Sequence, residues 1–144
     1  MAYSWHFSGP AFGWAARGAS AAAGDGVRAI LRLEGLAVFA AALALYAHLG
    51  ASWLAFAALF LAPDLSMAAY LLGPRLGAAG YNLVHTYVLP LALGGVGATL
   101  DAPGIVALAA IWAAHIGINR ALGYGLKYAT GFGDTHLGRI GGAV

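Results

Sequence analysis

The chain contains no cysteine among its 144 residues. That absence excludes a disulfide framework, a thiolate metal site and a cysteine nucleophile. Charged side chains are also scarce, at 8% of the sequence, whereas soluble domains carry about 25%. Hydrophobic residues instead make up 62%, against roughly 45–50% in soluble domains. The composition therefore indicates a membrane protein, and the length allows one domain.

Four stretches are long and apolar enough to cross a bilayer as helices, because a hydrocarbon core of about 30 Å needs roughly 20 helical residues. They are predicted at 28–49, 52–72, 76–100 and 104–122. The short links between them contain Gly or Pro, which end one helix and let the next begin. Short links favour antiparallel neighbours, so the sequence predicts an all-α integral membrane protein, an up-down antiparallel four-helix bundle over 28–122.

Positive charges fall on one side of these four spans. The seven basic residues precede or open the first span, separate the second from the third, or close and follow the fourth: Arg17, Arg28, Arg32, Arg75, Arg120, Lys127 and Arg139. The positive-inside rule then predicts that both termini lie in the cytoplasm. A net charge of +2 spread along membrane edges favours anionic lipid headgroups as the partner, and no nucleic acid is expected.

The two ends of the chain differ from the spans. Segment 1–27 is rich in Trp, Tyr and Phe but lacks the basic start and unbroken apolar core of a secretory signal. It is predicted to lie in the interfacial zone on the cytoplasmic face, with a docking arm for a partner subunit as the alternative. The glycine-rich tail, 123–144, is predicted to fold back on the bundle.

Polar side chains within the spans gather toward the cytoplasmic side. A helix rise of about 1.5 Å per residue places Asp64, His85 and His115, on three different spans, roughly 10–13 Å inside that boundary. Supporting polar residues lie nearer the boundary or in the tail: Glu34, Ser66, Tyr70, Asn82, Asn119 and Tyr124. Ionisable groups inside a membrane are energetically expensive, so these side chains should face inward and mark a candidate site. Pro63 should loosen the helix beside Asp64.

This polar set leaves several functions open. In the first, His85 or His115 is a general base oriented by Asp64, while Arg120 or Lys127 holds an anionic headgroup. The chain is then an intramembrane enzyme acting on a hydrophobic or lipid-like substrate. In the second, the polar groups only hold helices together, and the chain is an accessory subunit of a larger membrane complex. A single b-type haem between the two histidines, and a path for protons or small cations, are further alternatives.

The tail adds a second pair of candidate ligands. Asp134 and His136 are two residues apart, which suits a metal or an acid–base pair in an extended segment, although the spacing favours a solvated turn. If the tail covers the bundle, these two would join His85, His115 and Asp64 as ligands for Zn²⁺, Fe²⁺ or Mn²⁺. Membrane lipids are the expected partners, with a homo-oligomer or a larger complex as the assembly.

Three strings carry a family resemblance: "LRLEGLAVF", "APDLSMAAYLLGPRLGAAGYNLVHTYVLPLAL" and "HIGINRALGYGLKYATGFGDTHLGRIG". They resemble a bacterial family of small four-span membrane proteins known only as a domain of unknown function, number 4260. The resemblance covers about 31–141 and implies the four spans and the bacterial inner membrane, but no reaction. Asn119 stands where the family often has an acidic residue, and Ala129 where it has a proline. Asn119 cannot transfer a proton as an acidic residue would.

Overall fold

A computed structural model of the chain describes the backbone of residues 12–140 and the side chains of residues 24–140. The start of the aromatic segment and the last four residues of the tail lie outside that range. The chain divides into two compact units between Ile30 and Leu31. In the first unit Arg28 forms an ion pair with Asp25. Everything described below belongs to the second unit, except that the first helix extends through both.

The described residues are mostly helical. Five α-helices, a 3-10 helix and a small hairpin follow one another along the chain. They are α1 (Phe12–His48), α2 (Trp53–Leu59), the 3-10 helix (Ala62–Leu72), α3 (Pro74–Val84), α4 (Val88–Thr99), α5 (Pro103–Leu122), β1 (Asp134–Thr135) and β2 (Gly138–Arg139). The two strands are antiparallel, with Asp134 opposite Arg139.

Within residues 12–140, three helical segments are long and apolar enough to cross a membrane: Gly24–His48, Trp53–Leu72 and Pro103–Leu122. Large apolar side chains cover their outer faces, and Leu71, for instance, is 89% exposed. So much apolar surface would be strongly unfavourable in water and is favourable in lipid. These helices identify the chain as a membrane protein.

The segment predicted as a continuous third span, 76–100, consists instead of α3 and α4, which are separated at 85–87. Pro90 explains the break, because it has no N–H for the carbonyl of Thr86 and its ring would clash with that carbonyl in a continuous helix. In the first turn of α4 the same proline is tolerated. The prediction of one unbroken helix at this position is wrong for that reason.

The break frees backbone carbonyls, and two of them are bound by side chains of α5. Trp112 Nε1 donates a hydrogen bond to the Val84 carbonyl at 2.7 Å, and Arg120 Nη2 donates to the His85 carbonyl at 2.9 Å. An unpaired carbonyl at membrane depth is costly because no water is there to satisfy it. Trp112 and Arg120 therefore stabilise the break and hold it against α5.

The second predicted span changes its helix type near Pro63. Ser52 caps α2 by accepting a hydrogen bond from the Ala55 N–H at 3.4 Å, and α2 ends at Leu59. Pro63 cannot donate to the Leu59 carbonyl, so the α-helical pattern stops and the 3-10 helix begins. The prediction that Pro63 loosens the helix is confirmed. Asp64 consequently lies in the first turn of the 3-10 helix.

Glycines allow the closest helix contacts. α3 packs against the 3-10 helix, where the Tyr70 ring occupies the space that a Cβ on Gly77 would need. α5 meets α1 where a Cβ on Gly117 would lie 2.7 Å from the Phe39 backbone nitrogen and 2.9 Å from the Gly35 carbonyl oxygen. Small residues at helix crossings are typical of membrane bundles. They fix α5, which carries His115, close to its neighbour.

The tail after α5 returns to α3. Gly123 ends α5 in the left-handed conformation, with φ of 93°. The side chain of Asn82 then pairs with the backbone of Lys127: its Nδ2 donates to the Lys127 carbonyl at 2.8 Å, and its Oδ1 accepts from the Lys127 N–H at 2.7 Å. A further bridge joins Lys127 to Thr135. These contacts hold the tail beside the residues described next.

Candidate metal centre

Asp64, His85 and His115 come together from three different elements. His85 Nε2 lies 3.1 Å from His115 Nε2 and 3.3 Å from Asp64 Oδ1, and His115 Nε2 lies 3.4 Å from the same oxygen. Both imidazoles are buried, while the Asp64 side chain is 31% exposed. The three atoms form a nearly equilateral triangle, and each atom is of a type that binds metal ions.

The helix break positions His85. Its backbone N–H donates to the Tyr81 carbonyl at 2.8 Å as the last turn of α3 ends, and its ring Nδ1 lies 3.0 Å from the same oxygen. A carbonyl can only accept, so Nδ1 carries the hydrogen and Nε2 of the neutral ring has a free lone pair. The Tyr81 ring also stacks on the imidazole, with centroids 3.7 Å apart. Histidines that bind metals have this arrangement, with the outer nitrogen hydrogen-bonded.

His115 reaches the triangle from the middle of α5. The edge of its ring faces Phe60, with centroids 5.5 Å apart, and Asn119 Nδ2 lies 3.0 Å from its Nε2. Among the described residues nothing hydrogen-bonds to His115 Nδ1, which is buried. Asn119 is thus the polar residue in contact with the His115 corner of the triangle.

The Asn119 Nδ2 donor beside His115 Nε2 indicates that this nitrogen is an acceptor too, so all three atoms are acceptors and call for a cation. A carboxylate oxygen and an unprotonated imidazole nitrogen are both acceptors, so they repel each other at 3.3 Å unless a proton or a metal ion lies between them. Tetrahedral zinc with bonds of about 2.0–2.1 Å places its ligand atoms about 3.3–3.4 Å apart, and octahedral sites of similar bond length give about 3.0 Å. The observed edges of 3.1–3.4 Å fall within this span. The donor set fits a first-row divalent metal.

The two cations predicted to hold a headgroup are bound to the protein itself. Arg120 is buried, and besides the His85 carbonyl it donates to the Tyr124 carbonyl at 2.7 Å. Lys127 is also buried; its Nζ donates to the Phe132 carbonyl at 2.8 Å and lies 3.6 Å from the centroid of the Phe132 ring. Burial lowers the pKa of Lys127, and the Asp64 carboxylate acts in the opposite direction.

The supporting polar residues have different surroundings. Glu34 is exposed on α1, and Asn82 holds the tail. In the described part of the chain Ser66 Oγ and Tyr70 OH are buried without a hydrogen-bond partner. Tyr124, like Asn119, faces a cavity next to the triangle. Of the six supporting residues, Asn119 alone hydrogen-bonds to one of the three ligands within the described residues.

The structure does not bring the tail pair, Asp134 and His136, into the ligand group. Asp134 accepts a hydrogen bond from Thr130 Oγ1 at 2.8 Å and lies 3.6 Å from Arg139 Nε. His136 Nδ1 accepts from the Leu126 N–H at 2.8 Å. Burial and then the positive charge of Arg120 lower the pKa of His136. The described residues thus contain three converging ligands where the sequence suggested five.

Two cavities adjoin the triangle. The first, called the apolar cavity, has a volume of about 260 Å³ and is lined by Leu59, Ala62, Pro63, Val84, Leu108, Ile111 and Trp112. The second, called the polar cavity, has a volume of about 290 Å³ and is lined by Asp64, Met67, Tyr81, Asn119, Tyr124, Lys127, Phe132 and Ile140. Of the three ligands Asp64 lines the polar cavity, whereas the apolar cavity is lined by Pro63 and Val84, the sequence neighbours of Asp64 and His85.

A comparison with protein families gives one match. The model of a domain of unknown function, DUF4260, matches residues 28–140, which is most of the chain. The chain belongs to the DUF4260 family. The resemblance drawn from the three sequence strings is thereby confirmed. No curated protein and no solved structure matches this DUF4260 chain.

Sequence reasoning did not identify two residues that shape this DUF4260 site. Tyr81 fixes His85 through its carbonyl and its ring, and its signal is the spacing of four residues on one helix. Trp112 binds the Val84 carbonyl through its indole N–H. Its signal is Pro90, which requires a break and therefore a donor for the freed carbonyl.

Proposed function

We propose that this DUF4260 protein is a metal-dependent intramembrane enzyme that acts on a hydrophobic or lipid-like substrate. Asp64, His85 and His115 are its metal ligands. The observation that carries the proposal is the triangle of ligand atoms with edges of 3.1–3.4 Å. The Tyr81 carbonyl binds Nδ1 of His85, which leaves the lone pair of His85 Nε2 directed at the other two atoms. Two histidines and one carboxylate leave coordination positions open for water or substrate.

Zn²⁺, Fe²⁺ or Mn²⁺ bound by these residues would supply a Lewis acid that polarises a substrate oxygen. The protein supplies the rest. Asp64 offsets part of the metal charge, and the apolar walls nearby exclude water. A metal bound to His115 Nε2 would take the lone pair that faces Asn119 Nδ2 at 3.0 Å, so the Asn119 amide would then be free to orient a polar group of the substrate. Lys127 places a positive charge in the polar cavity, which Asn119 also lines.

We place this enzyme in the bacterial inner membrane with four crossings and both termini in the cytoplasm. α3 and α4 together form the third crossing as a broken helix, a form tolerated where the irregular backbone lies against protein. The distribution of all seven basic residues on one side supports this orientation. The metal ligands then lie in the cytoplasmic half of the bilayer, where a lipid reaches them from the side.

The distance between the two histidines argues against the haem alternative. Axial ligands stand on opposite sides of the iron, and two bonds of about 2.0 Å in line would separate their nitrogens by about 4 Å. His85 Nε2 and His115 Nε2 are 3.1 Å apart, with no room for a porphyrin plane between them. Ligands on adjacent corners of one coordination sphere account for that distance.

Metal analysis of the purified protein tests the proposal. After loading with Zn²⁺, Mn²⁺ or Fe²⁺ and removal of excess, we expect about one ion per chain. His85→Ala, His115→Ala and Asp64→Asn should each lower the metal affinity at least about tenfold. His48→Ala, an exposed histidine at the far end of α1, is the matched control and should retain the metal. His136→Ala should retain it too, since His136 binds Leu126 instead.

The opposite results identify the alternatives. A Soret band in the absorption spectrum would support haem. A folded protein that binds no metal would contradict the proposal. If, in addition, the three ligand variants failed to fold, the polar set would be interhelical glue and the chain an accessory subunit.

A further inference from the structure

The apolar cavity and the polar cavity lie on two sides of the metal ligands. Along α5, Leu108 and Ile111 line the apolar cavity, His115 follows one turn later, and Asn119 lines the polar cavity after one more turn. In the segment Trp53–Leu72, Pro63 lines the apolar cavity, and the next residue, Asp64, lines the polar cavity. The ligands therefore lie between residues that line the apolar cavity and residues that line the polar cavity.

The apolar cavity is suited to a hydrocarbon chain. Its lining side chains are all apolar apart from the Trp112 indole N–H, which is hydrogen-bonded to the Val84 carbonyl. Leu59 and Leu108 line it and are also 41% and 42% exposed on the outer surface, so the cavity opens toward lipid. Its volume of about 260 Å³ is below the roughly 300–1,000 Å³ of pockets for drug-sized ligands, which favours a single chain.

The polar cavity is suited to a negative charge. Of the five acidic residues, all within the described range, only Asp64 lines either cavity. Lys127 lines the polar cavity and cancels the charge of Asp64. A bound divalent cation would then leave this cavity with a net positive charge, which attracts anions and repels cations.

We infer that the substrate is a single-chain amphiphile with an anionic polar end. This inference rests on the proposed metal-dependent function. The hydrocarbon chain enters sideways from the bilayer into the apolar cavity. The anionic end, a carboxylate or a phosphate, lies in the polar cavity beside Asp64, the ligand that lines this cavity. The metal and Lys127 recognise the charge, and the apolar cavity recognises the chain.

Cobalt in place of the native metal gives a readout that needs no activity. Co²⁺-loaded protein in an uncharged detergent is titrated with dodecyl phosphate, dodecanoate, inorganic phosphate, acetate and dodecanol, and the visible cobalt bands are followed. We expect the chain-bearing anion to shift the bands at a concentration at least about tenfold lower than its short counterpart, because several methylenes are buried. Dodecanol should leave the bands unchanged. Whether dodecyl phosphate or dodecanoate acts identifies the polar end.

Paired variants test the position of the chain. Leu108→Phe narrows the apolar cavity and should weaken binding of the dodecyl anion at least about fivefold, without changing the response to inorganic phosphate or acetate. Leu91→Phe makes the same change on α4 at a lipid-exposed site and should have no effect. Equal behaviour of the two variants, or tight binding of dodecanol, would overturn the inference alone. Failure of the protein to bind cobalt at all would overturn the metal-dependent function as well.

Discussion

Single atoms determine what the candidate centre can bind. The Tyr81 carbonyl keeps the hydrogen of His85 on Nδ1, so Nε2 is directed at the other two ligands with its lone pair. If the ring were held the other way round, an N–H would point at His115 and Asp64 and the three groups would satisfy one another. The tautomers of the two imidazoles thus separate a cation site from a simple hydrogen-bonded cluster, because an N–H on either Nε2 would be bound by the other two groups.

His136 makes the attachment of the tail depend on pH. Its Nδ1 accepts from the Leu126 N–H only when the ring is neutral. Burial and the charge of Arg120 lower its pKa below the ordinary value of 6.5, while the Leu126 carbonyl acts in the opposite direction. Because the folded pKa is below the unfolded one, this contribution is fully present above about pH 6.5 and is lost as the pH falls through the folded value.

Hydrogen exchange at the Leu126 amide, corrected for its intrinsic rate, should therefore show weaker protection at pH 5 than at pH 7.5. His136→Asn is the control, because an amide oxygen accepts the same hydrogen bond and does not titrate between these pH values. The same loss of protection in both proteins would show that another group is responsible.

The depth of the ligands follows from the sequence, but their orientation does not. Counting helix rise places Asp64, His85 and His115 at one level, and the cost of burying them predicts that they face inward. The spacing of four residues places Tyr81 beside His85 on one helix, but it does not indicate that the Tyr81 carbonyl accepts a hydrogen bond from the ring, because backbone atoms carry no sequence signal. The positions of Asp134 and His136 depend in the same way on how the tail folds. Helical periodicity does not predict that, because the described part of the tail is not helical.

Among the helices, the interruption between α3 and α4 has the largest effect on the site. A continuous helix would bind the carbonyls of Val84 and His85 internally and leave Trp112 and Arg120 without these partners. Pro90 was available in the sequence as the cause of a break. The position of the break, at 85–87, depends on the donors that α5 provides for the freed carbonyls. Such donors come from tertiary packing, so the sequence of one segment does not predict them.

Trp112→Phe tests this account of the break. The substitution keeps an aromatic ring but removes the donor, which leaves the Val84 carbonyl unpaired. We expect a loss of about 1–2 kcal/mol in the free energy of unfolding, measured by titration with a denaturing detergent. Because Val84 adjoins His85, the metal affinity should fall as well.

Trp53→Phe provides the comparison, since the Trp53 side chain is 55% exposed near the start of α2. Trp53→Phe makes the same change of side chain without affecting the break. It should therefore lower the free energy of unfolding clearly less than Trp112→Phe does. If the two variants lost equal stability, the hydrogen bond from Trp112 would contribute nothing beyond ring size.

At the scale of the whole molecule, orientation in the membrane decides which compartment supplies the substrate. The basic residues predict it from sequence alone, because lipid charge and insertion respond to Lys and Arg whatever the fold. The natural absence of cysteine makes the experiment simple, since each introduced thiol is the only one. Ala51 and Ala102, in the links without basic residues, and Tyr128 in the tail are suitable positions.

In intact cells we expect Ala51→Cys and Ala102→Cys to react with a thiol reagent that cannot cross the inner membrane. Tyr128→Cys, 55% exposed in the folded protein, should react only after that membrane is opened. Labelling is read by the mass increase of the purified protein. The reverse pattern would place the candidate centre in the opposite leaflet and contradict the proposed orientation.

The break at 85–87 also determines the electric field at the candidate centre. A helix carries about half a negative charge at its C-terminal end and half a positive charge at its N-terminal end. α3 ends at His85, and the 3-10 helix begins just before Asp64, so one macrodipole turns its negative pole toward a bound cation and another turns its positive pole toward the carboxylate. An unbroken third helix would have its negative pole at the membrane surface. Interrupting it brings a counter-charge to a depth where lipid provides none, without an additional acidic side chain.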